Sequence, residues 1–257
     1  MKKFCFTVDD NIRFFKEIKE MRPKSLFDHP YLALYRRLHE QFGLKVQLNL
    51  FFEDGKGFSL AEMPSDYKAE WSENADWLRL SFHAKKEFDC SYEFADYETA
   101  YQDCENVQRE ILRFASEKNL ATTTTIHFCY ASKEARRALY DHGVRGLLGL
   151  YGGTRVSYEN APEVCDILRK GECAVAEGFL HAGIDLVLNQ FSTEDILNRL
   201  ARIAERDCVK VMIHEQYFYP DYSRYQADFE EKLARTFEFL LENGFVSAFF
   251  EEFGSGN

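Results

Sequence analysis

Phe4-Cys5-Phe6-Thr7-Val8-Asp9-Asp10 is a short apolar run that ends in two adjacent carboxylates. Adjacent carboxylates closing a strand either face opposite ways or sit on a turn, so one can bind a metal while the other takes a proton from water on that metal. Working outward, His83 ends a second apolar run, Trp77–Phe82, and Glu87 follows it by four residues. His214 ends a third, Val209–Ile213. Groups suited to metal and proton chemistry thus recur at the C-terminal ends of separate strands, which is where barrels and open α/β sheets build active sites.

The spacing of apolar residues supplies the rest of the fold. A helix is expected over Tyr31–Gln41, from Leu34, Leu38 and Phe42, and Gly43 ends it. Lys45–Phe52 reads as a strand, Tyr97–Lys118 as a long helix, and Ala121–Phe128 as a strand rich in β-branched threonine. Lys133–His142 reads as a helix stopped by Gly143, and Val144–Leu150 as a short strand. Between Gly152 and Asn189 the pattern loosens, and the short runs Cys173–Glu177 and Ile184–Leu188 suggest a hairpin. A helix over Thr193–Glu205, capped by Ser192 or Thr193, precedes the His214 strand. A helix over Tyr225–Glu242 and a strand over Phe245–Phe250 close the chain. Strands alternating with helices are the mark of parallel βαβ units. The expectation is an α/β fold, a distorted TIM-like (β/α) barrel of seven or eight mainly parallel strands in one domain spanning residues 1–257.

Composition narrows the function classes. The chain is 46% hydrophobic, enough for a large core, and no apolar stretch reaches the roughly eighteen residues of a membrane span. A net charge of −11 argues against a nucleic-acid partner. Seven dispersed cysteines contain no CxxC pair, which excludes a zinc knuckle or thioredoxin motif and fits a reducing compartment. Cytoplasmic location is the expectation, because only five apolar residues separate the N-terminal lysines from Asp9.

Each candidate residue has a plainer reading beside the functional one. Asp10 or Asp9 could cap a helix starting near Arg13. His83 and Glu87 could reach one cation if Ala84–Phe88 makes a helical turn, or could form an ordinary polar pair. His127, on an alternating strand, is either a satisfied core histidine or part of a site, and Asp185 is a weaker candidate. Trp71, Tyr130, Tyr217 and Tyr219 fall in loops or past strand ends, where aromatic faces stack on sugar rings. His29, His39, His142 and His181 receive no role.

Thr7-Val8-Asp9-Asp10-Asn11, Ser81-Phe82-His83-Ala84-Lys85-Lys86-Glu87 and Ile213-His214, in that order, resemble the motif series of the polysaccharide deacetylases, the NodB-type carbohydrate esterases. The resemblance implies Asp9 as general base, Asp10 as metal ligand and His214 as general acid. It implies His83 as a second metal ligand, with Glu87 standing where the family has another histidine. Tyr130 and Tyr217 would contact substrate. Asn11 replaces the usual glycine, and His127-Phe128-Cys129-Tyr130 stands where an Arg-Pro motif is expected. The implied activity is metal-dependent hydrolysis of an acyl group, N-acetyl above all, from a small acetylated sugar or oligosaccharide. The cofactor would be a divalent metal such as zinc. Two rivals are a sugar-binding barrel with impaired catalysis, and a metal-independent glycosidase pairing Asp9 or Asp10 with Glu215.

Overall fold

The computed structural model describes residues 1–88, 91–153 and 156–253. Strand β1 (Lys2–Asn11) lies at the centre of a parallel sheet, with helices α1 (Arg13–Met21) and α2 (Pro30–Phe42) following it. Next come β2 (Val46–Phe51), α3 (Lys68–Glu73), β3 (Leu78–Ala84), α4 (Tyr97–Phe114), β4 (Thr123–Thr125), α5 (Lys133–Asp141) and β5 (Gly146–Gly149). The C-terminal half contains α6 (Pro162–Arg169), β6 (Cys173–Ala176), β7 (Phe179–Gly183), β8 (Leu186–Val187), α7 (Thr193–Ile203), β9 (Cys208–His214), α8 (Phe229–Glu242) and β10 (Phe245–Ser247).

One sheet has the order β3-β2-β1-β9-β8, with β10 also against the start of β1; the other has the order β4-β5-β7-β6. Two seams join them. Ala121 N–H donates to Leu80 O at 2.9 Å, and Ser81 Oγ to Thr123 O at 2.7 Å. At the other seam Ile184 N–H bonds Gly149 O of β5, and the next residue, Asp185, bonds Lys210 O of β9. The segment β7–β8 is therefore one bent strand that changes sheets, and the array is barrel-like with seven mainly parallel strand positions. The alternating helix–strand reading is borne out.

Period-two alternation sorts the side chains of β1. Phe4, Phe6 and Val8 pack outward into the helix layer, where Phe237 of α8 stacks on Phe4 and meets Phe6 edge-on at 5.0 Å. Cys5 faces inward on a small second core with Leu148, Ala182 and Phe250. Above it the interior turns polar: Gln47 donates to Asn49 Oδ1 and Thr123 O, and Asn49 donates to Asp9. The C-terminal turn Phe250–Phe253 closes the opposite end, where Glu251 pairs with Arg79.

A methyl group on Gly146 would sit 2.7 Å from Thr123 Cγ2 and 3.1 Å from Phe250 Cε1. Gly146→Ala should therefore cost about 1–3 kcal/mol by overpacking, seen as a melting temperature several degrees lower. An unchanged melting temperature would mean that the barrel floor relaxes freely.

Several boundaries differ from the sequence reading. The Ala121–Phe128 strand shrinks to Thr123–Thr125, and His127–Cys129 forms a 3-10 turn in which Phe128 and Cys129 adopt left-handed backbone angles. The hairpin pairs Cys173–Ala176 with Phe179–Gly183, not with residues 184–188, because Glu177 and Gly178 both adopt the positive φ of a tight turn. Trp71 and Tyr219 are core residues, not exposed aromatic platforms.

Candidate metal centre

Asp9 and Asp10 serve one site because β1 ends irregularly. Its register with β2 shifts between Val8 and Asn11, and Asp10 takes φ +65°. Aspartate tolerates that left-handed region better than most residues. A bulge re-aims the following side chain, so Asp10 joins Asp9 over the barrel mouth. Asn11 clamps the bulge: its amide donates to Val8 O at 2.6 Å and Asn49 O at 3.1 Å, and accepts from Tyr31 at 2.8 Å. An asparagine at this position thus has a structural task that glycine cannot perform.

Three buried groups converge above the bulge. Asp10 Oδ1 lies 3.1 Å from His83 Nε2 and 3.4 Å from His127 Nδ1, and the two ring nitrogens are 3.2 Å apart. The far nitrogen of each ring is held by a backbone carbonyl: His83 Nδ1 donates to Thr125 O at 2.5 Å, and His127 Nε2 to Glu87 O at 2.8 Å. Those bonds set the tautomers. With both rings neutral, as metal binding requires, their lone pairs face each other and a carboxylate oxygen, an arrangement of three acceptors that a cation satisfies, whether proton or metal ion. Two histidines and one carboxylate with further positions open match catalytic zinc sites, so the donor set fits a divalent metal. Gln216 Nε2 donates to Asp10 Oδ2 at 2.7 Å and fixes the carboxylate plane.

The members of this group with all ligand atoms within 4.8 Å of one another are Asp10, His83 and His127. The structure brings Asp10 and His83 together as the sequence suggested, but His127 stands where Glu87 was expected. Residues 84–88 form no helical turn. Glu87 consequently contributes its carbonyl to His127, while the residue lines the adjoining cavity. The signal that could have identified His127 was its place after the β-branched run Thr122–Ile126, the same strand-end position as His83 and His214. Gln216 and Asn49 carried no comparable signal.

Asp9 and His214 lie opposite each other in the β1–β9 register. Asp9 is buried, and its carboxyl is raised above the usual range by that burial and by neighbouring Asp10, although His83, His214 and the Asn49 hydrogen bond oppose the rise. Asp10 moves the other way: burial would raise it, but the hydrogen bonds from His127 and His83 hold it well below the ordinary range. The two carboxylates are thus driven apart, one toward accepting a proton and one toward permanent charge. His214 Nδ1 meets Asn189 Oδ1 at 2.9 Å, and His214 lines the cavity with Asp9 and Asp10.

That cavity, about 370 Å³, also has Phe88, Phe128 and Tyr217 on its walls. Tyr130 is half-buried and is not among its lining residues. A second groove, sharing Asp10, Glu87 and Gln216, continues along α1 past Lys16 and Glu20.

Glu215 is a helix cap. Its Oε2 accepts from Ile12 and Arg13 N–H at 2.7 and 3.0 Å, and its Oε1 from Phe14 N–H at 2.7 Å and Tyr219 at 3.0 Å. The capping residue of α1 is therefore neither Asp9 nor Asp10, and Ile12 at the N-cap offers no side-chain bond. This occupation argues against Glu215 as a glycosidase carboxylate. Glu215→Ala should cost about 1–3 kcal/mol by orphaning buried donors. Burial raises this carboxyl from its ordinary 4.5 to about 7 despite those donors. The sign follows: its stability contribution is full below 4.5 and is lost as pH rises through 7. Melting curves of Glu215→Gln should lack that slope, and identical pH profiles for variant and parent would refute the assignment.

The fold and cluster together define a barrel-like α/β protein with a two-histidine, one-carboxylate centre at the C-terminal ends of its strands. No protein-family model and no curated protein matches the chain in sequence. Solved structures match in fold. A 4-alpha-glucanotransferase from Thermococcus litoralis superposes with a TM-score of 0.65 at 14% identity, over 100% of this chain, which spans only 41% of that enzyme. A Mycobacterium smegmatis protein assigned as a polysaccharide deacetylase gives 0.57 at 10% identity, covering 98% of this chain and 88% of the other. A family 4 acetyl xylan esterase from Clostridium thermocellum, solved with a cobalt ion, gives 0.53 at 10% identity, covering 98% and 90%. The chain therefore has the fold shared by these carbohydrate-active proteins.

Proposed function

We propose that the protein is a metal-dependent hydrolase, acting on a non-peptide C–N bond, that removes an acyl group, N-acetyl above all, from a small sugar or oligosaccharide. The observation that carries this reading is the convergence of Asp10 Oδ1, His83 Nε2 and His127 Nδ1, three acceptors with their outer partners already in place. The fold is shared with both a glycosyl-transferring enzyme and deacetylases. The cluster favours the second group, because glycosidic chemistry by paired carboxylates needs no such donor set.

A divalent metal held by Asp10, His83 and His127, zinc being our choice, would polarise the acyl carbonyl and acidify water. The chain's own groups do the rest. Asn49 orients Asp9 through a 2.7 Å bond, and Asp9, with its raised proton affinity, takes the proton of the attacking water. His214, oriented by Asn189, delivers a proton to the departing nitrogen as the C–N bond breaks. Tyr217 and Phe128 present aromatic faces to the cavity for the sugar ring. Tyr130, set back from this cavity, is the weaker of the two tyrosine candidates.

Among the described residues no helix is long and apolar enough to cross a membrane. We place the protein in the cytoplasm, which agrees with its scattered cysteines. The decisive test is acetate release from a panel of N-acetylated and O-acetylated mono- and oligosaccharides, with and without a chelator. Chelator-sensitive release from an N-acetylated member is expected. Chelator-insensitive glycosidic cleavage would overturn the reading.

A further inference from the structure

A third concavity lies across β8 from the metal cluster: Val187 lines the cavity at the cluster, and its neighbour Leu186 lines this one, of about 470 Å³. The chain as a whole has 43 acidic residues against 32 Lys and Arg. Here the balance is inverted. Four arginines, Arg169, Arg199, Arg202 and Arg206, line the space with a single carboxylate, Asp185.

That carboxylate is already engaged. Arg206 Nη1 reaches Asp185 Oδ1 at 2.6 Å, while buried Lys210 lies 3.0 Å from Oδ2. Arg169 bonds Tyr151 O and Asp166. Arg199 and Arg202, three residues apart on one face of α7, have no carboxylate within 4.0 Å among the described residues; Arg199 lies over the Phe191 ring at 3.9 Å. A helix C-terminus attracts basic residues, which accounts for Arg202 in the last turn of α7 but not for four arginines from three segments. Backbone choice supports the cluster as well. Gly171 has φ +86°, and the Arg206 guanidinium occupies the place its Cβ would take.

We propose that this concavity binds a phosphate-bearing organic anion. Guanidinium forks match phosphate oxygens in pairs, and a phosphate ester brings nearly two negative charges and three acceptors to a space faced by several cations. The volume exceeds what one phosphate fills. The floor of Leu168, Ile184, Leu186 and Ile203 suits an organic group attached to it.

Titration calorimetry at low salt, with inorganic pyrophosphate and with ADP as probes, tests the proposal on the parent, His83→Ala, the Arg199→Ala/Arg202→Ala double variant, and an Arg36→Ala/Arg37→Ala control. The substituted arginines are exposed, so both double variants keep the core, and the melting curve of His83→Ala is recorded beside its titration because that side chain is buried. Both probes should bind, ADP more tightly, and the Arg199/Arg202 variant should lose at least about tenfold in affinity, equivalent to 1.4 kcal/mol. His83→Ala and the control pair should bind as the parent does. Four results would each overturn the proposal: no saturable binding at millimolar probe, unchanged affinity in the Arg199/Arg202 variant, loss in His83→Ala, or ADP no tighter than pyrophosphate.

Discussion

His127→Ala and His83→Ala should each strip the protein of stoichiometric metal, whereas Glu87→Gln should retain it. The reason is geometric: both rings turn a nitrogen toward Asp10 Oδ1 within 3.4 Å, while Glu87 meets the cluster through its backbone carbonyl, which glutamine also has. Loss of outer partners alone costs metal sites about 10- to 100-fold in affinity, so loss of a ligand should exceed roughly 100-fold. Metal content after dialysis, with competition against a chelator, measures it. Full occupancy in His127→Ala together with loss in Glu87→Gln would reverse the ligand assignment.

The same site should release protons as it loads. In the metal-free protein burial works to lower the His83 pKa, but the Asp9 and Asp10 carboxylates and the Thr125 carbonyl outweigh it and raise it above the ordinary value. Metal requires the deprotonated ring. Affinity should therefore be full above that raised value and fall as pH drops through it, and calorimetry in buffers of different ionisation heat should report proton release. Proton uptake on loading would contradict it.

Asp9→Asn should retain metal and fold while losing about 10² to 10⁴-fold in turnover, the usual worth of a general base. His214→Ala should lose turnover on the same scale. Asparagine keeps a carbonyl oxygen that can accept the Asn49 bond, so the change removes proton affinity with little else. Helix capping no longer offers an alternative explanation, since Glu215 receives the first N–H groups of α1. Acetate release and metal content measured on one preparation separate the roles. Near-parental release by Asp9→Asn would remove Asp9 from the chemistry.

Much of this architecture is written locally. Alternating Phe4, Phe6 and Val8 select an outer face for β1, Gly43 ends α2 with φ +63°, and Ser192 caps α7 through Asp195 N–H. Each signal acts within a few residues, where sterics and hydrogen bonding depend on the sequence nearby. The strand-end positions of Asp9, Asp10, His83 and His214 were legible on the same basis.

Tertiary structure alone decided which of these polar groups converge. His127 is 44 residues from His83 and 117 from Asp10. Its entry depends on β4 stopping at Thr125 and on two successive left-handed residues, neither of which the β-branched run foretells. The cap of α1 likewise comes from Glu215, 203 residues from Ile12. Periodicity specifies which face a residue takes along its own strand, but where strands end and which ends meet is set by packing between distant segments, so the completed donor set is a property of the assembled barrel.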